Sequence, residues 1–391
     1  MAKMSMATRK EITQAQKKKY LKAGKKEKGM ILDALVLSTG LSRDRLARIM
    51  REEKVTEKKQ KIERRGRKPI YTEEDTLLLR RMWTILDCVC GLRLKAALPT
   101  ALDALIAHGE LDKDYPSVAR LKKISVSTIN RLLKPVRDEF KFRGRATTKP
   151  GTLLKHHIPI RLGSNWDENI PGFVEIDLVA HCGDSASGDY VNTLNVTDIA
   201  TTWTETRAVR NKAQKHVFAA LMHIQMRAPF DYLGIDSDNG TEFINAHLFR
   251  YCKEYDIVFT RSRPYRKNDS AHVEEKNWSI VRKHMGYSRF EGQEIVNLIN
   301  DYYDLLRLHT NYFLPTVKLV SKQRSGSKVK KIYDNPQTPY ARILAHPSTD
   351  EVTKKKLKAT FQTLNPVQLK RDMLELQSKI EKMAIPYEKY H

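Results

Sequence analysis

Three acidic residues in the middle of the chain have the types and spacing of a metal-binding catalytic site. Asp177 lies within the apolar run 173–180, Asp238 follows the run 232–237, and Glu274 lies one turn into a later helical pattern. Sixty residues separate the two aspartates, and thirty-five separate Asp238 from Glu274. Carboxylates at adjacent strand ends and on a facing helix supply the hard oxygen ligands that two Mg²⁺ ions about 3.5–4 Å apart require. The three residues are therefore the first candidates for catalysis.

Neighbouring acids compete for one of these roles. On an α-helix, Glu274 shares a face with Trp278 and Val281 at i+4 and i+7, which predicts that it points toward the core. Glu275 lines up instead with a polar face that includes Arg282. The helical pattern therefore favours Glu274 as the ligand.

Two further acids lie on the strands themselves. Asp236 shares a strand face with Asp238, but Asp238 lies closer to the Asn-Gly turn that follows. Glu175 lies on the same strand face as Asp177, either as a group that supports the site or as half of a structural salt bridge. Three histidines show no metal-binding partner pattern and are expected to cap or to pack: His181, His272 and His284.

The segments around the acids predict a sheet with helices. Five runs have the alternation or the β-branched content of strands, and three segments have helical periodicity. The predicted strands cover 173–180, 189–199, 203–209, 232–237 and 257–260, and the predicted helices cover 212–226, 241–255 and 270–284. Three strands followed by alternating helices and strands indicate an α/β core with a mixed five-stranded sheet over 171–317.

Residues 1–55 predict an all-α helix-turn-helix module. Helical patterns over 28–38 and 43–50 are separated by Gly40, which permits a left-handed turn. The second helix would present three basic side chains to the major groove of DNA. These are Arg43, Arg45 and Arg48.

The charged segment 56–70 predicts a linker. Its end, Arg64-Arg65-Gly66-Arg67-Lys68, resembles the hooks that insert arginine into a narrow minor groove. A flexible basic linker without that role is the alternative interpretation.

Residues 71–145 predict a second helical DNA-binding module, followed by a linker over 146–170. Segments 117–123 and 126–136 flank a turn at Ser125, and apolar residues of the second segment, such as Ile129, pack inward. The residues expected to face DNA are Ser127, Thr128, Asn130 and Arg131.

Charge is distributed unevenly along the chain. The net charge is +25, of which residues 1–68 carry +14, residues 69–150 carry +5 and residues 318–391 carry +9, whereas residues 151–317 carry −3. Basic flanks suit a polyanion, because neutralising phosphates releases counterions. Charge alone fits RNA as well as DNA.

Two basic segments lie outside the helical modules. Ahead of the Glu274 helix, a basic cluster could contact phosphates or form a solvated loop: Arg261, Arg263, Arg266 and Lys267. Residues 318–391 predict a small basic C-terminal module, with a basic loop over 321–331 and a final helix over 366–383. The apolar stripe of that helix predicts either a core or a dimer contact.

Several classes of protein are excluded. The longest apolar runs are far shorter than the ~18 residues of a membrane span, and the N-terminus lacks the apolar region of a secretory signal. The four cysteines show no CxxC spacing, so a reduced, cytoplasmic compartment is expected. No GxxxxGK[ST] loop occurs, so ATP use by this chain is not indicated; the need for a separate helper protein stays open.

In combination, these residues resemble the DDE integrase and transposase superfamily, and most nearly bacterial insertion-sequence transposases with an integrase catalytic core. The resemblance covers most of the chain. In the centre it rests on the strand 173–179 and on the segments 237–243, 262–265 and 272–277. In the flanks it rests on 28–33 with 39–40, on 90–95 and on 333–339.

The resemblance implies a ribonuclease-H-like core in which Asp177, Asp238 and Glu274 bind two Mg²⁺ ions, for which Mn²⁺ can substitute. It implies binding to terminal repeats of an element and to target DNA, strand cleavage, and strand transfer by a 3′-hydroxyl. A homo-oligomeric synaptic complex in a bacterial nucleoid is the expected setting. The alternatives are a catalytically silent, sequence-specific DNA-binding regulator and a structure-selective nuclease of the same fold.

Overall fold

The computed structural model describes residues 5–51, 70–139, 169–237, 243, 246–261, 276–325 and 328–385. The chain divides into two compact units, Met1–Pro69 and Ile70–His391. Within the described ranges, no helix is long and apolar enough to cross a membrane.

The first unit contains three helices, α1 (Met6–Lys22), α2 (Lys25–Thr39) and α3 (Arg43–Arg51). Each helix contributes to one small core, formed by Tyr20, Leu32, Leu35, Leu46 and Met50. Gly40 lies between α2 and α3 with φ of 66°, a left-handed conformation that glycine adopts at little cost. The two helices expected at 28–38 and 43–50 are thus present, and α1 precedes them.

The second unit begins with four helices, α4 (Glu73–Ile85), α5 (Gly91–Ala107), α6 (Pro116–Lys122) and α7 (Val126–Glu139). Helix α4 starts at a capping box, in which the Asp75 carboxylate accepts the Thr72 N–H at 2.7 Å. Arg120 of α6 donates to the same buried carboxylate at 2.8 Å. The cap of α4 therefore also fixes α6.

A mixed five-stranded sheet follows, as predicted. Its strands are β1 (Phe173–Ala180), β2 (Asn192–Asp198), β3 (Thr204–Val209), β4 (Gly234–Ser237) and β5 (Val258–Arg261). Their spatial order is β3-β2-β1-β4-β5. Strands β1, β2 and β3 pair antiparallel, whereas β4 pairs parallel with both β1 and β5. The carboxyl ends of β1, β4 and β5 therefore meet at one edge of the sheet.

Helices cover both faces of this sheet. Helices α8 (Gln214–Arg227) and α9 (Ala246–Glu254) pack on the face that contains Val174 and Ile176 of β1. The other face receives a π-helix (Asn277–Arg282), which continues into α10 (Lys283–Met285), and α11 (Gln293–Phe313). Helix α14 (Pro366–Met383) packs against α11. Because side chains alternate along a strand, Glu175 and Asp177 belong to this second face.

The helices that precede the sheet in the sequence share a hydrophobic core with the helices that follow it. Leu79 and Leu98 of α4 and α5 lie in one buried cluster with Phe313 of α11, Leu357 of α13 (Glu351–Thr363) and Leu369 of α14. Residues 71–145 and 318–391, expected as modules of their own, therefore belong to the same compact unit as the sheet.

The apolar stripe of the last helix is buried within its own chain. Leu369 lies in the cluster shared with α4 and α5, and Met373 and Ile380 pack with α11. Of the two interpretations of this stripe, the structure supports a core.

The segment expected as a basic loop over 321–331 is largely a two-stranded ribbon. Strand β6 (Leu319–Ser325) pairs antiparallel with β7 (Lys328–Tyr333), and α12 (Pro339–Ala345) follows. The loop prediction was wrong because it followed the lysines and serines and ignored the β-branched residues at 320, 329 and 332, which favour strands.

Candidate functional site

Asp177 lies near the carboxyl end of β1, beside the end of β4. Its backbone pairs with Asn195 of β2, and the preceding Ile176 pairs with Ser237, the last residue of β4. Each oxygen of the half-buried Asp177 carboxylate accepts a hydrogen bond. Oδ1 accepts the Leu178 N–H at 2.8 Å, and Oδ2 accepts the Asn277 side-chain amide at 2.5 Å.

Two asparagines link Asp177 to the neighbouring strand and to the π-helix. The Asn195 Nδ2 donates to the Asn277 Oδ1 at 2.8 Å, and the Asn277 Nδ2 in turn donates to Asp177. Asn195 is fully buried, and its Oδ1 has no hydrogen-bond partner among the described residues. The amide pair therefore orients one oxygen of the Asp177 carboxylate.

Sequence reasoning assigned no role to either asparagine. Asn277 follows Glu274 by three residues, the spacing at which helical side chains share a face. This spacing could have indicated a role for Asn277 beside Glu274. Asn195 offered none, because its position opposite Asp177 depends on the register of β1 and β2.

The π-helix overturns the helical-face argument for the acidic pair. Val281 is buried as predicted, but Trp278 is 63% exposed. Arg282, expected on a solvated face, is partly buried and donates to the Ala180 carbonyl at 2.8 Å. The i→i+5 hydrogen bonds of a π-helix change the angular step per residue, so i+4 and i+7 no longer define one face. The choice of Glu274 over Glu275 stays a prediction.

Two buried acidic residues lie on the same face of the sheet as Asp177, farther from the carboxyl ends of the strands. Glu175 and Asp236 pair across β1 and β4, and each is only 1% exposed. The Thr260 hydroxyl donates to Asp236 at 2.6 Å. Their burial keeps both side chains away from solvent.

The described histidines have structural contacts. The His181 Nε2 lies 2.8 Å from the Thr193 hydroxyl, and the His284 Nδ1 lies 2.7 Å from the Tyr302 hydroxyl. Burial, and secondarily the charge of Arg282, lowers the pKa of His181 to about 3, so its ring is neutral. Within the described ranges, no group of three His, Cys, Asp or Glu side chains could hold a metal ion.

Several predicted site residues lie outside the described residues, including two of the three acids. These are Arg64, Arg65, Arg67, Lys68, Asp238, Arg263, Arg266, Lys267 and Glu274. Arg261 is described only as the last backbone position of β5.

The predicted DNA-facing residues of α3 lie on its exposed surface. Arg43, Arg45 and Arg48 are exposed, whereas Leu46 and Met50 are buried. Arg43 forms an ion pair with Asp33 of α2.

The α7 candidates are more constrained. Ser127 and Arg131 are exposed, but the Thr128 N–H and hydroxyl bond the Ser125 hydroxyl. The Asn130 Oδ1 accepts from Arg137 at 2.8 Å and lies against Gly91, where a Cβ would approach to 2.4 Å. Asn130 therefore also closes the contact between α7 and α5.

Comparisons with known proteins give one family assignment. No family model matches the chain. Among solved structures, the magnesium-bound HTLV-2 integrase catalytic core is 13% identical, with a TM-score of 0.29 over 38% of this chain and 91% of that chain. The BIV integrase core is 14% identical, with a TM-score of 0.28 over 49% of this chain and 98% of that chain. Scores this low carry no weight for the fold, which rests on the strand order described above.

A curated relative is much more similar. The uncharacterized protein y4rM of Sinorhizobium fredii (strain NBRC 101917 / NGR234) is 37% identical over 342 residues, which cover 87% of this chain and 96% of the relative. Identity at this level over nearly the whole of both chains is enough to establish common family membership. The chain therefore belongs to the same protein family as y4rM.

Proposed function

We propose that the protein is a transposase of the DDE type, which cleaves DNA at the ends of an insertion sequence and joins the 3′-hydroxyl to target DNA. The observation that carries the proposal is the position of Asp177, at the carboxyl end of β1 beside β4 and bonded to the helix that follows Glu274 in sequence. The Asn277 amide links this carboxylate to the chain segment that directly follows Glu274, which supports a role shared by the two acids.

Covalent geometry supports the other two acids. Consecutive Cα atoms are about 3.8 Å apart, and Asp238 directly follows Ser237, whose neighbour on β1 is Ile176. Glu274 precedes Asn277 by three residues, and the Asn277 side chain touches Asp177. Short stretches of chain thus connect Asp238 and Glu274 to residues that lie beside Asp177, which supports a site shared by the three carboxylates.

Three carboxylates would fit a hard divalent cation. In this proposal Asp177, Asp238 and Glu274 hold Mg²⁺, or Mn²⁺ in its place, which would supply Lewis-acid activation of water and of the scissile phosphate. Asn277 orients one Asp177 oxygen, and Asn195 fixes Asn277. In this proposal the buried Asn195 Oδ1 would accept a hydrogen bond from a water molecule bound to the cation.

DNA recognition falls to the basic elements outside the sheet. Arg45 and Arg48 of α3 extend from a small independent core, as a groove-reading helix requires. Joining two element ends to one target needs two active sites in a fixed relation, so the working complex would contain at least two protomers.

The proposal is tested by separating the two adjacent glutamates. Glu274→Gln is expected to lose metal-dependent cleavage of duplexes that carry the element ends, whereas Glu275→Gln, a matched loss of one charge, should keep most of it. The measurement is product formation on denaturing gels with Mg²⁺ and with Mn²⁺. Full activity in Glu274→Gln would contradict the site, and loss only in Glu275→Gln would exchange the two roles.

Asn277→Ala is expected to weaken the metal site without unfolding the protein. It removes the donor to Asp177 and the acceptor for Asn195, and loss of such supporting contacts typically costs 10- to 100-fold in metal affinity or activity. Titrating Mg²⁺ should show a higher requirement and partial recovery at high concentration. A loss that Mg²⁺ does not relieve at all would argue against a positioning role.

Arg45→Gln/Arg48→Gln is expected to reduce discrimination between end DNA and random DNA. A base contact by arginine contributes about 1–3 kcal/mol of sequence preference. The matched control, Lys18→Gln/Lys22→Gln on the exposed surface of α1, should lower both affinities alike. Binding by full-length variants to both duplexes measures the ratio, and an unchanged ratio for the α3 variant would reject α3 as the reading helix.

A further inference from the structure

The ribbon formed by β6 and β7 contributes nothing to the hydrophobic cores. None of its described residues belongs to a buried cluster, and Val320 and Tyr333 are 66% and 51% exposed. An isolated two-stranded hairpin is marginally stable at best in water. A ribbon of this kind therefore needs a reason other than core formation.

The base of the ribbon is held firmly in place. The Asp334 carboxylate accepts the Lys318 N–H at 2.7 Å and an Arg342 guanidinium N–H at 2.6 Å. Just outside these residues, Thr316 and Gln337 exchange two backbone hydrogen bonds, of 2.8 and 3.1 Å. Side-chain and backbone hydrogen bonds therefore fix the two ends of the ribbon.

Its charge has one sign. Residues 319–333 contain five Lys or Arg and no Asp or Glu. Lys322 is directly opposite Lys331 in the register, an arrangement that destabilises a ribbon unless an anion lies nearby. Lys330 and Lys331 are exposed, and neither forms an ion pair within the ranges that the structure describes. The ribbon is therefore complementary to a polyanion.

We infer that this ribbon enters the major groove of duplex DNA and binds it without regard to sequence, as a target site requires. The major groove of B-DNA is about 12 Å wide and admits a two-stranded ribbon, whereas the major groove of A-form RNA is too deep and narrow. Four of the five cations are lysines, which contact phosphates as point charges more than they read bases. The assignment to target DNA rests on the proposed function.

The test compares full-length protein with Lys330→Gln/Lys331→Gln on a 30-base-pair duplex of random sequence, a length chosen to give about three helical turns. Each phosphate contact contributes about 0.9 to the slope of log affinity against log salt. The variant should therefore lose about 2 from that slope and bind about 10- to 30-fold more weakly at moderate salt. Guanine N7 atoms, which lie in the major groove, should lose their protection from dimethyl sulfate.

Matched controls distinguish the alternatives. Lys355→Gln/Lys358→Gln removes the same charge from exposed positions of α13 and should change affinity less than threefold. An equal loss of affinity in that control would show that DNA is attracted by the positive charge of the whole surface, and it would overturn the inference. An unchanged salt slope in the ribbon variant would overturn it as well. If duplex RNA of the same sequence loses as much affinity as DNA, the groove assignment is overturned. Binding requires no catalysis, so these results stand apart from the Glu274→Gln test of the proposed function.

Discussion

Asp177→Asn is expected to reduce metal-dependent DNA cleavage and strand transfer by at least about a thousandfold, equivalent to about 4 kcal/mol in the activation barrier. The substitution keeps the size of the side chain and an oxygen that can accept the Asn277 amide, but it removes the charge that a divalent cation needs. Because Asp177 is half-buried at a sheet edge, folding and DNA binding should persist.

Cleavage assays and DNA-binding isotherms on the same preparation separate the two effects. Asp184→Asn, which removes the same charge from an exposed position in the loop after β1, serves as the control and should cleave normally. Two outcomes would reject the metal site: cleavage near the wild-type rate, or a parallel loss of cleavage and thermal stability.

Asp87→Asn is expected to lower the free energy of unfolding by about 2–4 kcal/mol, because it breaks a largely buried charge cluster. The Asp87 carboxylate lies 2.5 Å from the Lys283 Nζ, 3.3 Å from the Lys370 Nζ and 3.5 Å from the His284 ring. Asp87 has a positive φ of 59°, which asparagine tolerates well. The substitution therefore isolates the loss of charge from a change of backbone conformation.

The effect should depend on pH. Burial raises the pKa of Asp87, but the neighbouring His284 and the charges of Lys283 and Lys370 outweigh it and hold the pKa far below its usual 3.8. A depressed folded-state pKa stabilises the fold above the unfolded-state value, and this contribution is lost as pH falls. The difference between wild type and Asp87→Asn should therefore shrink as pH falls below about 4.

Denaturant unfolding followed by circular dichroism measures these differences. Asp103→Asn is the matched control, since its ion pair with Lys122 is on the surface and should contribute at most about 1 kcal/mol. Equal destabilisation by the two substitutions would show that the Asp87 cluster has no special structural role.

The strands that carry the site could be predicted closely from the sequence. The predicted strand 173–180 coincides with β1, and the predictions for β4 and β5 differ by at most two residues at either end. Runs of β-branched and aromatic residues bounded by turn residues are local signals, so they predict a strand without any knowledge of tertiary contacts. Local signals also located α8, predicted at 212–226 and observed at Gln214–Arg227.

The contacts around Asp177 could not be predicted in the same way. The hydrogen bond between Asn277 and Asp177 joins residues 100 positions apart, and it depends on strand register and on a π-helix. Helical periodicity assumes 3.6 residues per turn, so it misassigned Trp278 and Arg282. The shared core of α4, α5 and α14 is likewise a tertiary contact. An amphipathic pattern predicts which face of a helix is apolar, but it does not identify the element that packs against that face.

That shared core also has a consequence for the synthesis of the protein. Lys370 bonds Asp87 across 283 positions of sequence, and Arg371 bonds Glu110 across 261. At roughly 5–20 residues per second, the ribosome needs roughly 15–60 s to make the segment between them. During that interval the residues of α4 and α5 that pack against α14 lack this partner. A chain truncated before residue 366 would lack α14, so the packing of α4 and α5 is complete only after α14 has been made.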